Sequence, residues 1–550
     1  MKGNGVVDRA ENVEGILVEL VGIPSITGTD GEARIAGHIH EKLSRWRYFR
    51  ENPSHLRLVS SKLPDVKEDV YAVFALVKAA RSTAKTILFV AHFDVVDVEI
   101  YGSLKHLAFD PPALEQAMTE VELPPQAKKD LKSGQYLFGR GIMDMKAGLA
   151  LELDLIEEYS NNSNLYDVNI AVLALGDEEN NNGGMRVGAI LMKQASKDLG
   201  LDVACVVDTE PSDAGKPGTE HQMIFMGTTG KLLPFFYVLG AGVHAGNYYQ
   251  GISASLLMSF LHTVVEANPE LCDAHHGEVT APPLALGLEL RHRSYSVTLP
   301  DRAATFFNYF FFQKTPSTII AEMTALAHEA VKRTKEHLAR SHAALSARGY
   351  TRPGTDPVVA VMTYRELVEA VRRNFAGDLD EQLSKIALEL DTTMDVREKG
   401  ILLVESLISL RSAETPIIVT GLLPPFLPAR ASLGGSTKEA RLQTAAESMR
   451  HYAQENHGVR LEKAVYFAGI SDLSYVGSDL SQDELSLVEE NTPGWGSIYS
   501  IPFEEIAALD APVINIGPLG RDAHKMTERL EKDYTFRILP DLLRYFIRQV

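Results

Sequence analysis

Apolar residues recur along this chain with two different periods. Val13, Ile16, Leu17, Leu20 and Val21 fall at helical spacing, and Gly22 with Pro24 close the run, so the first element is predicted to be a helix. A second helix is predicted over 32–43. Residues 86–90, 169–175 and 203–207 are short runs rich in β-branched and aliphatic side chains and predict strands. Helical patterns at 146–159 and 188–197 lie between them. Strands alternating with helices argue for an α/β sheet covered on both faces. Ligands of such sheets gather where loops leave the carboxyl ends of the strands.

The style changes near 213–218, a stretch of Gly, Pro, Ser and Asp that reads as a linker. Beyond it, strands are predicted at 232–239, 294–299 and 304–311, with helices at 253–265 and 317–339. This is a compact α+β unit, closed by a second linker at 348–357. The α/β style then returns, with helices at 365–371, 381–390 and 438–455 and strands at 416–420, 463–467 and 512–516. The expected organisation is an α/β domain of residues 1–213 and 353–550, interrupted by an inserted α+β domain of residues 214–352.

A chain of 550 residues exceeds what one core serves, which agrees with two domains. Hydrophobic residues make up 45% and charged residues 23%, a balance typical of globular proteins. No apolar run reaches the roughly 18–20 residues that span a bilayer, so no membrane association is expected. Residues 1–14 are polar and acidic, and no secretory signal is expected from them. Cys205 and Cys272 are the only cysteines, which excludes a disulfide framework and disfavours thiolate-bound zinc. These features fit a reducing cytoplasm. The formal charge of −19, without a long Lys/Arg cluster, speaks against nucleic acid as a partner.

Five polar groups follow predicted strands or precede a predicted helix. His92-Phe93-Asp94 ends an apolar strand, and residues two apart on a strand share a side. Asp94 is therefore placed to support His92, since a metal-bound His gives its second ring N–H to such an acceptor. In Gly139-Arg140-Gly141-Ile142-Met143-Asp144-Met145-Lys146-Ala147-Gly148, glycines crowd one carboxylate before a helix and allow close backbone approach. Asp177-Glu178-Glu179 sets three carboxylates at one strand end, where a cation would offset their repulsion. Adjacent Glu residues suit a division of labour between metal binding and proton transfer. Asp208-Thr209-Glu210-Pro211 follows another strand, and Gly520-Arg521-Asp522-Ala523-His524-Lys525-Met526-Thr527-Glu528 follows the last. Mixed His and carboxylate ligation without thiolates suits zinc, cobalt or manganese at a hydrolytic site. There is no His-Glu-x-x-His helix and no Gly-x-Ser-x-Gly elbow.

Taken in order, His-x-Asp, Gly-x-x-Asp-x-Lys-x-Gly, Asp-Glu-Glu, a further acid and a late His followed by Glu resemble the M20 family of metallopeptidases and deacylases. Gly227-Thr228-Thr229-Gly230-Lys231 through Gly242-Val243-His244-Ala245-Gly246 resembles that family's lid domain. The length and Arg521-Asp522-Ala523-His524-Lys525 look most like its arginine-utilisation branch, the RocB-type proteins. The resemblance implies a zinc-exopeptidase-like catalytic domain, an inserted lid and two divalent cations, most simply zinc with cobalt or manganese as alternatives. It implies that His92 binds one metal with Asp94 in support, that Asp144 bridges both and that a cis peptide follows it. Glu178 would be the general base, with Glu179 and His524 on the second metal. Asp208, the first acid after its strand, would complete the first metal, with Glu210 as rival. His244 would meet substrate, in the same chain or across a homodimer formed through the lid.

The activity so implied is hydrolysis of an amide bond in a small N-acyl amino acid or short peptide, within amino-acid catabolism and, by the RocB-type likeness, arginine catabolism. Two readings compete: a metal- or ligand-binding protein of the same fold without catalysis, against which Glu178 stands, and a bimetal phosphoesterase, against which the acidic surroundings stand. The acid–arginine pair expected of many relatives near 303–312 is missing, leaving Arg302, Arg291 and Arg293 for that work.

Overall fold

The computed structural model describes residues 9–213, 222–291, 296–411 and 415–550. It is a mixed α/β structure whose chain divides into two compact units. The first comprises residues up to Thr229, Arg430–Ser478 and Pro502–Val550, and the second Gly230–Ala429 and Asp479–Ile501.

The first unit is built on an eight-stranded sheet. Its centre is a parallel run of Asn169–Leu175, Lys85–His92, Asp202–Asp208 and Val513–Asn515. Every residue of Asn169–Leu175 is buried, as the near-continuous apolar runs of a sheet covered on both faces require. Two strands that the hydrophobic pattern did not single out, Leu56–Ser61 and Val70–Val77, extend one side antiparallel. Gln222–Phe225 and Leu461–Ala464 complete the other. The helices Arg9–Val21, Lys146–Asn161 and Leu539–Gln549 share one core with Ile87, Phe89, Ala91, Val207 and Ile514 of the sheet. Because the central strands run parallel, His92, the turn after Leu175, and Asp208 leave the sheet at the same edge.

The second unit holds a five-stranded sheet ordered Leu284–Leu290, Arg302–Phe311, Gly230–Leu239, Ile417–Leu427 and Ala360–Thr363. The helices Tyr364–Arg372 and Val396–Ser409 pack on one face through Leu367, Val371, Ile401 and Val404 against Leu233, Phe235 and Val419. Ala254–Val265 and Pro316–Ser346 form a second helical layer.

This division differs from the expected insert of 214–352. Residues 353–429, expected in the catalytic domain, belong to the second unit because Ile417–Leu427 pairs along Gly230–Leu239 and Ala360–Thr363 pairs onto it. The stretch 348–357 is a loop within that unit and does not end it. Gln222–Thr229, expected in the insert, belongs to the first unit. Most of the first expected linker, 214–218, lies outside the described residues. The strand expected at 294–299 is not found over 296–299, which carries an isolated bridge between Thr298 and His244. The edge strand of that region is Leu284–Leu290. Its Leu284, Leu286, Leu288 and Leu290 are 49–59% exposed. Among the described residues, no helix is long and apolar enough to cross a membrane.

Candidate metal centre

The site is assembled in the first unit from strand ends and the loops that follow them. His92, fully buried, ends Lys85–His92. Its Nδ1 lies 3.0 Å from the carbonyl oxygen of Asp94 and 3.5 Å from the Asp94 carboxylate. That contact orients the ring and leaves Nε2 to face the site. The Asp94 carboxylate is itself engaged elsewhere: it accepts from Thr27 Oγ1 at 2.8 Å, from Glu178 N at 3.1 Å and from Glu179 N at 3.2 Å. Asp94 thus supports His92 mainly through its backbone, and its side chain fixes the acidic turn.

That turn leaves Asn169–Leu175 with Asp177 at φ 57°. Asp177 Oδ2 accepts from Gly183 N at 3.0 Å, tying the turn to the start of helix Gly183–Leu199. Glu178 Oε2 reaches to 3.8 Å from His92 Nε2. Asp144 sits at the end of the glycine-rich loop, before helix Lys146–Asn161, and its peptide bond to Met145 is cis. The loop needs glycine at 141: φ is +70°, and an added Cβ would lie 2.3 Å from Val95 Cγ1.

Asp144 lies between two histidines. Its Oδ1 is 3.3 Å from His92 Nε2 and its Oδ2 is 3.2 Å from His524 Nε2. His524 Nε2 is also 3.1 Å from Glu179 Oε1. On the other side of His92, Glu210 Oε1 is 3.3 Å from Nε2. Ligand-type atoms therefore converge in two groups that share His92: His92, Glu178 and Glu210, and His92, Asp144 and Glu179.

Of the two acids after Asp202–Asp208, it is Glu210 and not the expected Asp208 that stands beside His92. Asp208 is the last residue of the strand, opposite Asn515, and its Oδ2 accepts from the Ser471 hydroxyl. Glu210 lies two residues past the strand, with a longer side chain. Its backbone is fixed by close approach of Gly517, where a Cβ would meet Glu210 O at 1.9 Å. Ser471 and the buried Asp472, on a short turn, had no distinguishing pattern in the sequence. Nor did Thr27.

Charge is out of balance here. Burial pushes the carboxyls of Glu178 and Glu210 well above the ordinary range against the pull of His92, and repulsion from neighbouring carboxylates adds to the rise. Burial likewise raises Glu179, with Asp144 adding to it. Against its own burial, Asp144 is held well below the usual range by its contacts with His524 and His92. His524 is lifted to about 11 by hydrogen bonds to Asp144 and Glu179. His92 Nε2 is buried without a hydrogen-bond partner, although three carboxylates approach it. An imidazole nitrogen ringed by carboxylate oxygens and no thiolate is the donor set that a divalent cation of the zinc, cobalt or manganese type takes.

His244 belongs to the second unit. It is exposed on a turn, and its Nδ1 accepts from Gly246 N at 3.1 Å. Arg291, one of the arginines left for substrate, is engaged with Glu398 and Glu405 at 2.7 Å each, while Arg302 pairs loosely with Asp301 at 3.9 Å. Arg293 lies outside the described residues.

Comparison with known proteins agrees with this chemistry. The profile of peptidase family M20/M25/M40 matches residues 88–364. The chain is 32% identical over 534 residues to the uncharacterized protein YqjN of Bacillus subtilis, covering 97% of this chain and 95% of that one. It is 28% identical over 539 residues to protein RocB of the same organism, covering 98% and 94%. Its fold resembles that of the M20 family metallo-carboxypeptidase Sso-CP2 from Sulfolobus solfataricus, with a TM-score of 0.52 at 13% identity, covering 98% and 99%. With its acids and histidines gathered at one sheet edge, the chain belongs to peptidase family M20/M25/M40 and is a metallohydrolase.

Proposed function

We propose that the chain cleaves an amide bond of a short peptide or small N-acyl amino acid with two divalent cations, zinc first among the candidates. The observation that carries this reading is Asp144, which offers one carboxylate oxygen to each of two histidines, at 3.3 and 3.2 Å. In this reading His92, Glu210 and Asp144 hold the first ion, and Asp144, Glu179 and His524 the second. Bound there, the cations would acidify water and polarise the amide carbonyl. Glu178 takes the proton from the attacking water and passes it to the leaving amine. Asp94 keeps Glu178 and Glu179 in place through their backbone N–H groups, at 3.1 and 3.2 Å. His244, as the family resemblance suggests, steadies the charge that develops on the carbonyl oxygen. We assign the second unit a lid role and a part in homodimer formation. The exposed leucines of its edge strand support the latter, since such a strand is a ready surface for a second copy. The place in amino-acid breakdown rests on the resemblance to the RocB-type branch, and the cytoplasmic location on the two cysteines.

The test is a panel of dipeptides, tripeptides and N-acyl amino acids, assayed after chelation and re-addition of zinc, cobalt or manganese. The expected result is metal-dependent release of a free amine from at least one class. Hydrolysis of phosphate esters alone, or of nothing in the presence of two bound ions, would overturn the reading.

A further inference from the structure

Two buried side chains beside the site are not among its candidate ligands. Arg140 and Glu528 are 1% and 0% exposed, with Arg140 Nη1 2.6 Å from Glu528 Oε2. A buried ion pair adds little stability by itself, because desolvating both charges consumes the Coulombic gain. What distinguishes this one is where its remaining hydrogen-bonding atoms go. Glu528 Oε1 accepts from the backbone N–H groups of Met143 at 3.2 Å and Asp144 at 3.4 Å. Arg140 Nη2 donates to the backbone oxygen of His524 at 3.3 Å. One charged pair therefore ties the peptide that carries Asp144 to the peptide that carries His524.

The two histidines differ in how they are held. His92 ends a central strand with a neighbour on each side, and its ring is fully buried. His524 sits in a loop with φ +65° and a half-exposed side chain. Its ring contacts Asp144 and Glu179, the same groups with which it would share an ion. The position of His524 thus depends on its backbone, and its carbonyl is gripped by Arg140.

We propose that Arg140 and Glu528 are positioning residues that chiefly set the second metal position, that of Asp144, Glu179 and His524, and reach the His92 position through Asp144 alone. This rests on the two-cation reading above. Residues that hold metal ligands in place typically contribute about 10–100-fold in affinity, and the second position is held through both Asp144 and His524, the first through Asp144 alone.

The experiment is calorimetric titration of the metal-free full chain with Zn2+ alone, and in parallel with Co2+. Glu528→Gln keeps an oxygen to accept from Met143 and Asp144 but loses the charge. Arg140→Lys keeps the charge but loses the planar fork that reaches both Glu528 and His524. In the unaltered chain two ions are expected. In both variants the second should bind about 10–100-fold more weakly, and the first should weaken less. Excess metal should restore turnover with KM little changed, a rescue that general structural damage would not give. Two ions bound as tightly as in the unaltered chain, or both weakened equally, would overturn the assignment. If Glu528→Gln loses its cooperative melt, Arg140→Lys decides by the same titration; if neither folds, the pair is structural and the proposal falls. Uptake of fewer than two ions by the unaltered chain refutes the two-cation reading itself, and this proposal with it.

Discussion

Glu178→Gln separates proton transfer from metal binding at a residue placed near both. The side chain is 8% exposed, and Gln preserves its size while removing its charge and its ability to take a proton. Its anchoring does not depend on the carboxylate, because the Glu178 backbone N–H is held by Asp94 at 3.1 Å. Glu178 Oε2 stands 3.8 Å from His92 Nε2, whereas Asp144 and Glu210 each approach to 3.3 Å. The longer distance argues for a role beside the ions, not as a ligand. A positioned general base contributes about 10²–10⁴-fold, which at 1.36 kcal/mol per decade is about 3–5 kcal/mol of transition-state stabilisation. The variant should lose that much kcat/KM, keep two ions per chain, and melt no lower than the parent, since one of several mutually repelling carboxylates is gone. Metal content and rate are to be measured on one preparation. A rate within about threefold of the parent would remove the general-base role. Loss of one ion together with the rate would make Glu178 a ligand and refute the argument from distance.

Glu210→Ala should bind one ion fewer by elemental analysis, while Asp208→Asn should retain two; the reverse pattern would restore Asp208 as the ligand. His244→Ala should lower kcat about 100-fold or more, as loss of an oxyanion donor does, with metal content unchanged. An unaltered kcat would take it out of the mechanism. Gly517→Ala should cost about 1–3 kcal/mol in denaturant titration, the usual range for overpacking, because its Cβ would press on Glu210 O from 1.9 Å. It should also weaken one metal ion, and unchanged stability would mean that the loop yields freely. Leu288→Asp should shift the chain from dimer to monomer in light scattering, and a monomeric parent would dismiss that interface.

The parts of the fold that could be read from sequence are those where burial is two-sided and the run is short. Asn169–Leu175 was located to the residue, and Lys85–His92 and Asp202–Asp208 within two. Val70–Val77 was missed although it is as short and as buried: such an apolar run has no alternation, and periodicity alone cannot tell it from a buried helix. Leu284–Leu290 was missed although its leucines alternate as in a strand; what the pattern could not show is that this face is exposed at a sheet edge. The boundary of the second unit was misplaced because strand partners are set by tertiary pairing. Ile417–Leu427 follows three helices in the chain, yet it hydrogen-bonds to Gly230–Leu239, nearly two hundred residues earlier.

At the site, residue types and their order were enough to bring His92, Asp144, Glu178, Glu179 and His524 under suspicion, since carboxylates and histidines at successive strand ends have few structural uses. Choosing between Asp208 and Glu210 was a matter of reach, which no motif carries. The strand ends at Asp208, so its short side chain stays with the sheet, beside Asn515 and under the Ser471 hydroxyl. Two residues on, the chain has left the sheet, and Glu210 arrives at His92 because Gly517 lets its backbone settle close by. The same limit hid Arg140 and Glu528. Each stood in a group already singled out, but 388 residues separate them, and only folding shows that the charge of one is answered by the other and that their spare atoms hold the backbones of Asp144 and His524. Ligands announce themselves by chemical type, whereas the residues that aim them are defined by contacts. The affinity of the second ion in Arg140→Lys is therefore the measurement most sensitive to that distinction.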